Sequence, residues 1–203
     1  PLEVVANGVD LERCRVVDAD ERATVRRELG VADGPLVICV GRLCEQKGQD
    51  LLVDAWPAVR AHVPDARLAL VGDGPRRDRL GAAPGVELLG HRDDALRWLQ
   101  AADLVAMPSR WEGLPFVLLE AMASGRGVVA SDIPPIREVL EGVGVLVPTG
   151  DAAALAHAIV ERLLDPTATA QDANRARDRV VAAYDLRVQV DAVLERCAAL
   201  VRG

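Results

Sequence analysis

Short apolar runs, many of them β-branched, alternate with longer amphipathic stretches along most of the chain. Six such runs predict strands at 36–41, 67–72, 86–90, 103–109, 127–131 and 142–148. Helical periodicity fills intervals such as 49–63 and 93–102, and after Asp151 it continues in three further stretches. Strands that are apolar on both faces and joined by helices are typical of a parallel sheet covered on both sides. The sequence therefore predicts an α/β domain with a doubly wound, Rossmann-like parallel sheet and a C-terminal helical tail at 166–203.

Composition excludes several classes of protein. The 203 residues are half hydrophobic and suit one domain with a sizeable core. A net charge of −7 argues against nucleic acid as the main partner. No apolar run approaches the roughly 20 residues of a transmembrane helix. The four cysteines show no CxxC spacing and no plausible disulfide framework, which favours a reducing, cytoplasmic location.

The predicted ligand site lies beyond the carboxyl ends of the strands, where doubly wound sheets bind their ligands. After the first strand, Gly41 is followed by a loop in which Arg42 and Lys47 stand on either side, and Gly48 closes it before a helix. Two cations near a helix N-terminus suit a diphosphate. Two surface charges on a tight turn are the alternative interpretation of the same spacing.

The stretch RWEGLPFVLLEAMASG, residues 110–125, combines a predicted helix start with two carboxylates. Pro115 suits the first helical position, and the free N–H groups beside it favour an anion. Glu120 lies in an otherwise apolar run, and a buried carboxylate costs several kcal/mol unless donors surround it. Its donors are either ligand hydroxyl groups or a protein neighbour, and Glu112 faces the same crevice. Together these features indicate a sugar-nucleotide pocket.

Five blocks of sequence then appear in the order found in the C-terminal half of GT-B glycosyltransferases. They are VANGVD, VGRLCEQKGQDLLVDAW, LALVGDGP, VELLGHRDD and AADLVAMPSRWEGLPFVLLEAMASG. The chain resembles glycosyltransferase family 4, whose members are retaining enzymes that use nucleotide-diphosphate sugars. The resemblance covers residues 4–165, and the pair Glu112 and Glu120 matches the family's signature.

The resemblance implies roles for the matched positions. Arg42 and Lys47 correspond to the cations that hold the donor diphosphate, and Glu112 to the residue that contacts the donor sugar; these three are the expected catalytic residues. Glu120 corresponds to the residue that binds the ribose. The expected donor-binding positions are Gly41, Gly72, Gly74, Leu89, Gly90, Gly113, Leu114, Pro115, Phe116, Val117 and Glu120.

The implied reaction is front-face transfer of a hexosyl-type sugar with retention of configuration. Fixed cations and helix N–H groups stabilise the charge that develops on the leaving diphosphate. No cofactor and no metal are expected, because Arg and Lys take the electrostatic role of a metal. Asp18-Ala19-Asp20 imitates a metal-binding DxD, but its position before a predicted helix indicates a cap or a solvated face.

Two departures from the family pattern affect these expectations. Gly127 stands where relatives usually have Pro, and Pro134-Pro135 stand where a Gly-Gly pair is usual. The two prolines remove backbone N–H groups that could otherwise donate to a ligand. The chain also begins at residues 1–10, the family's interdomain connection, so we expect residues 1–203 to be the nucleotide-sugar-binding C-terminal domain. The acceptor-binding N-terminal domain is then absent, any peripheral membrane contact belongs to it, and the isolated chain transfers nothing.

Two other functions remain open at this stage. A non-catalytic interaction or regulatory module with a glycosyltransferase-like fold is the main alternative, although intact Arg42, Lys47, Glu112 and Glu120 speak against decay of the site. A dinucleotide-dependent oxidoreductase would need GxGxxG directly after the first strand, and the sequence GRLCEQKG lacks that glycine spacing.

Overall fold

The sheet has six strands, all parallel, in the computed structural model, which describes residues 6–31, 33–81 and 83–202. The spatial order is β3-β2-β1-β4-β5-β6. The strand bounds are β1 Leu36–Val40, β2 Arg67–Val71, β3 Val86–Gly90, β4 Leu104–Met107, β5 Gly127–Ser131 and β6 Val145–Val147. The predicted doubly wound sheet is confirmed, with the fourth and sixth strands shorter than the apolar runs that predicted them.

The described ranges contain eight α-helices. They are α1 Ala19–Glu28, α2 Gln49–His62, α3 Ala95–Ala101, α4 Phe116–Ala123, α5 Pro134–Leu140, α6 Ala152–Leu164, α7 Pro166–Ala183 and α8 Leu186–Arg202. Two local features lie near the carboxyl ends of the strands. Arg77–Arg79, after Pro75, form a single 3₁₀ turn, and Pro134-Pro135 begin α5. Proline suits the first helical positions because its missing N–H has no acceptor there.

Alternate residues of β1 supply the two halves of the core. Val37 and Cys39 pack with Trp56 of α2 and the apolar residues of α6, whereas Ile38 faces the side covered by α3, α4 and α7. Val37, Ile38 and Trp56 are fully buried. Each large apolar side chain buried in this way contributes about 1.5–3 kcal/mol relative to exposure. The sheet is thus a rigid platform whose strand ends hold the loops in place.

The first helix of the C-terminal tail packs on the domain. α7 lies against α4 and β5 and buries Ala173, Ala176 and Val180. The junction between α7 and α8 also pairs with the start of the chain, since Val9 N donates to Tyr184 O at 2.8 Å. Residues 1–5 of the expected interdomain connection lie outside the described residues.

The second tail helix, α8, leaves apolar side chains in solvent, among them Val188 and Leu194. In the described part of the chain, no helix combines the length and the apolar character needed to span a bilayer.

Candidate functional site

The loops after β1 and β4 meet because these strands are neighbours at the point where the strand order reverses. Gly48, at the end of the first loop, has φ +66°, and a Cβ there would lie 2.0 Å from the carbonyl oxygen of Pro108. Only glycine allows this backbone contact at a positive φ. The turn that carries Lys47 is therefore pressed directly onto the segment that leads to Glu112.

Lys47 and Glu112 form the ion pair at the centre of this edge. Lys47 Nζ lies 2.5 Å from Glu112 Oε1, and the side chains are 22% and 5% exposed. Ser109 Oγ donates to the same carboxylate oxygen at 2.8 Å, and Gln46 Nε2 donates to the other oxygen at 3.2 Å. A carboxylate this buried needs several donors, and here it has three.

A second group of charged side chains, separate from the Lys47–Glu112 pair, holds residues 45–50 in place. Arg110, in the loop after β4, donates from both Nη atoms to the two oxygens of Asp50, at 2.9 and 2.8 Å, and also to Glu45 O at 2.8 Å. Arg76, after β2, pairs with Asp50 at 3.3 Å and with Glu45 at 2.8 Å. The hydrogen bonds from Arg110 lower the pKa of Asp50. Three loops are thereby tied together around the turn that presents Lys47.

The glycines of the predicted site allow backbone segments to touch. A Cβ at Gly72 would lie 2.0 Å from Gly41 O, and one at Gly74 would lie 2.4 Å from Leu43 O. Gly72 N also donates to Gly90 O at 2.7 Å, which links the ends of β2 and β3. These glycines share one structural role, because each allows two loops to pack closely. The contacts bring Gly41, Gly72, Gly74 and Gly90 close together, and Leu89 immediately precedes Gly90 on β3.

The amino end of α4 differs by one residue from the prediction. Pro115 has extended backbone angles and is the N-cap, so the helix begins at Phe116. The N–H groups of Leu114, Phe116 and Val117 have no backbone acceptor among the described residues. The preceding loop is held by Asn7, whose Nδ2 donates to Leu114 O at 2.8 Å. This arrangement leaves the positive end of α4 open to an anion.

Phe116 and Trp111 are not core residues. Their side chains are 56% and 54% exposed, on either side of Gly113. Large exposed rings are able to contact a ligand or a second domain.

Glu120 has no hydrogen-bond donor among the described residues, although it is half-buried on α4. Burial raises the pKa of this carboxyl group, and Arg13 lowers it by a smaller amount. Burial together with the charge of Glu120 raises the pKa of the neighbouring Cys14 thiol to about 11. The alternative that Glu120 is satisfied by a protein partner finds no support in this part of the chain.

Arg42, the remaining predicted cation, follows β1 at the same edge of the sheet. Arg42 is exposed, and its guanidinium has no hydrogen bond or ion pair within the described ranges. His91, next to Gly90, is 80% exposed and contacts Asp93 at 3.3 Å. Asp18 caps α1, since its side chain accepts from Glu21 N at 2.8 Å. In the described ranges no cluster of His, Cys, Asp and Glu side chains is arranged to hold a metal ion.

Several residues of the site were missed by sequence reasoning. Gln46 and Ser109 hold Glu112, Arg110 and Asp50 brace the lysine turn, and Asn7 holds the α4 loop. Gln46 and Ser109 could have been suspected from their places beside Lys47 and Glu112. The other contacts join residues 60 and 107 positions apart and give no signal in a single sequence.

Comparison with known proteins identifies the family of this chain. Residues 34–165 match the family described as "Glycosyl transferases group 1". The chain belongs to the group 1 glycosyltransferases. A GDP-mannose-dependent alpha-(1-6)-phosphatidylinositol monomannoside mannosyltransferase of Mycolicibacterium smegmatis is 38% identical over 190 residues, which cover 81% of this chain and 48% of the relative. The chain thus spans about half the length of the curated relatives it matches.

Solved structures of group 1 glycosyltransferases and related proteins share the fold. Anabaena Alr3699/HepE, solved in complex with UDP and with UDP-glucose, superimposes with a TM-score of 0.87 at 30% identity, over 97% of this chain and 57% of that one. The C-terminal domain of LpcC from Francisella tularensis, at 20% identity, gives a TM-score of 0.77 over 88% of this chain and 100% of that domain. The expected Rossmann-like half of a GT-B fold is confirmed.

Proposed function

We propose that this chain is the donor-binding half of a retaining family 4 glycosyltransferase, one that transfers a hexosyl-type sugar from a nucleotide-diphosphate sugar. The observation that supports this most directly is Glu120, a half-buried carboxylate without a hydrogen-bond donor in the described chain, one turn from the open N–H groups of α4. Such a group is costly to keep unless a ligand supplies donors. The hydroxyl groups of a ribose are donors of the required kind.

The diphosphate has its counter-charges on the neighbouring loops. Arg42 is exposed and unpaired among the described residues, and Lys47 projects from the turn braced by Arg110 and Asp50. In our proposal these cations and the N–H groups of Phe116 and Val117 hold the two phosphates. They also stabilise the charge that accumulates on the leaving group, because fixed dipoles and cations need little reorganisation during the reaction.

Glu112 has a different role in this proposal. Its Oε1 already accepts from Lys47 and Ser109, but each carboxylate oxygen has two lone pairs and can accept from a sugar hydroxyl as well. The carboxylate thereby links the sugar to the cation that holds the phosphate. Gly113, Leu114 and Pro115 form the adjacent wall, and Leu89 and Gly90 offer backbone groups to the base.

A second domain completes the enzyme in this proposal. The chain spans 48% of the mycolicibacterial relative and 57% of the Anabaena protein. We propose that the missing length includes the acceptor-binding domain, that the isolated chain binds donor without transferring sugar, and that the whole protein acts in the cytoplasm without a metal or other cofactor. Any peripheral contact with a membrane belongs to that other domain.

A thermal-shift panel of UDP, GDP, ADP and NAD tests the proposal. The expected result is a rise in melting temperature with at least one nucleoside diphosphate and none with NAD beyond that of its ADP moiety. A response to NAD alone would indicate an oxidoreductase. If no nucleotide raises the melting temperature at concentrations up to the millimolar range, the result would support the non-catalytic interaction module instead.

A further inference from the structure

A cavity lies at the opposite edge of the sheet from the proposed donor site. Its volume is about 320 Å³, and Pro35, Asp103 and Gly127 line it where β1, β4 and β5 begin. The other wall comes from α7 and the end of α6. Ligand cavities in proteins have volumes from roughly 300 Å³ upward, so this one has room for a small molecule only.

Three arginines line this cavity, namely Arg22, Arg126 and Arg162. Two carboxylates face them, and both are already engaged. Asp103 accepts from Arg22 Nη2 at 2.6 Å, from Arg26 Nη1 at 3.1 Å and from the backbone N–H of Leu36 at 2.7 Å. Asp103 therefore has little remaining capacity to neutralise the other arginines.

The second carboxylate, Asp172, is also shared between two cations. It lies 3.2 Å from Arg162 Nη2 and receives a hydrogen bond from Arg175. The group thus has more guanidinium charge than carboxylate charge: Arg22, Arg26, Arg126, Arg162 and Arg175 surround two acids. A cluster with this balance attracts an anion.

Arg126 is the cation with the least compensation. Its Nε and Nη1 donate only to the carbonyl oxygens of Ser124 and Ala102, each at 3.1 Å, and it forms no ion pair within the described chain. Burial and, to a smaller extent, the nearby Arg22 lower the pKa of the Arg126 guanidinium to about 10, although the charge of Asp103 acts in the opposite direction. In addition, Arg162 Nε is buried and has no hydrogen-bond acceptor among the described residues. Arg126 therefore has no acidic partner of its own beside the cavity, and the charge of Arg162, which shares Asp172 with Arg175, lies in the same lining.

Gly127 explains why α7 can close over this edge. A Cβ at this position would lie 2.6 Å from Thr169 Cγ2 of α7. Thr169 is itself fixed, because its hydroxyl donates to the carbonyl oxygens of Arg162 and Asp165. The residue that departs from the family pattern at 127 is thus what allows α7 to form a wall of the cavity.

We infer that this cavity is a second anion site that binds a phosphate group between Arg126 and Arg162. The ligand is inorganic phosphate or a small phosphomonoester, because planar guanidinium groups match phosphate oxygens and the volume is small. The site does not depend on the proposed donor function. The two sites lie at opposite ends of the strands and have no charged residue in common.

Calorimetric titration with inorganic phosphate, and separately with glycerol 3-phosphate, tests this inference at constant ionic strength. Ala170 is exposed on α7 and lines the cavity, so Ala170→Glu adds a negative charge at its rim, and Ala170→Gln is the matched neutral control. We expect Ala170→Glu to weaken phosphate binding by about threefold or more through charge repulsion. Ala170→Gln should bind phosphate with the affinity of the wild type. Arg42→Ala changes only the proposed donor site, so phosphate binding at this cavity should remain.

The phosphate source follows from the same titrations. Tighter binding of glycerol 3-phosphate assigns the site to a phosphomonoester, and tighter binding of phosphate assigns it to the free ion. Equal affinities of Ala170→Glu and Ala170→Gln would overturn the inference, as would the absence of phosphate binding or a loss seen only in Arg42→Ala. The last result would assign the phosphate to the proposed donor site and leave that proposal intact.

Discussion

Lys47 Nζ lies 2.5 Å from Glu112 Oε1 at the carboxyl edge of the sheet, with both side chains largely withdrawn from solvent. One member of this pair is assigned to the donor diphosphate and the other to the donor sugar. They neutralise each other across two loops that are 65 residues apart in sequence. The pair therefore couples the two halves of the proposed donor site.

Removing Lys47 alone should lower the free energy of unfolding more than removing both members of this pair. Lys47→Met leaves Glu112 buried with two neutral donors, Ser109 and Gln46, and we expect a loss of about 1–3 kcal/mol in the free energy of unfolding. Glu112→Gln should cost less, because the lysine can reach solvent. The double variant Lys47→Met/Glu112→Gln should be more stable than Lys47→Met alone. Urea denaturation of the four proteins measures these differences, and strictly additive losses would contradict a coupled pair.

Glu120 should make stability depend on pH in a defined direction. Its pKa is raised in the folded chain, so its contribution to stability is fully present below the ordinary glutamate pKa of about 4.3 and is lost as pH rises through the raised value. Glu120→Gln should therefore be more stable than wild type near pH 7, with a difference that vanishes near pH 4. Urea denaturation across this range measures the effect.

The same variant should bind nucleoside diphosphate more weakly, by severalfold, because a neutral amide replaces a charge-assisted acceptor of the ribose hydroxyls. Gain of stability with loss of affinity is the combination that a ligand-binding carboxylate predicts. A Glu120→Gln protein that is less stable than wild type at neutral pH would show that the carboxylate has a structural partner.

The Asp50–Arg110 pair should influence ligand affinity through the position of Lys47. Arg110→Gln removes a bidentate contact on a partly exposed acid, and we expect a loss of roughly 1 kcal/mol in stability. Nucleoside diphosphate affinity should fall severalfold, although neither residue is assigned a contact with the ligand. Glu21→Gln, which removes the exposed Arg15–Glu21 pair, is the control. If both variants leave affinity unchanged, Arg110 has no positioning role.

Gly48 should be intolerant of any side chain. Gly48→Ala places a Cβ 2.0 Å from Pro108 O at φ +66°, so it adds a backbone clash to the strain of a positive φ. Gly142→Ala is the matched control, since φ is +76° there and no atom lies within 4 Å of the added Cβ. We expect Gly142→Ala to lower the free energy of unfolding by about 1 kcal/mol, and Gly48→Ala to lower it by at least about 2 kcal/mol more. Thermal denaturation compares the two, and equal losses would mean that the loops separate without cost.

The sequence was sufficient for the sheet because its strands are buried on both faces. A run such as LVICV admits few structures other than a central parallel strand, and the residues that follow each strand must then meet at one edge. Arg42, Lys47, Glu112 and Gly90 were placed at this edge for that reason.

The partners of these residues could not be predicted in the same way. Whether Lys47 faces solvent or Glu112, and whether Asp50 binds Arg76 or Arg110, depends on side-chain geometry across loops whose conformations a single sequence does not define. The position of Pro115 also differs by one residue from the prediction, and Pro134-Pro135 begin a helix that was not predicted. In both cases a proline occupies a helix start, at the N-cap in one and at the first two helical positions in the other.

The most direct test of the account is the affinity of a nucleoside diphosphate for the wild-type chain, Arg42→Ala and Arg67→Ala, measured by calorimetry with the nucleotide that gives the largest thermal shift. Arg67 is exposed at the first residue of β2, on the opposite edge, and its removal changes the net charge by the same amount. A diphosphate held by Arg42 predicts about tenfold weaker binding in Arg42→Ala and wild-type binding in Arg67→Ala. Equal affinities in all three proteins would contradict a diphosphate site at this edge of the sheet.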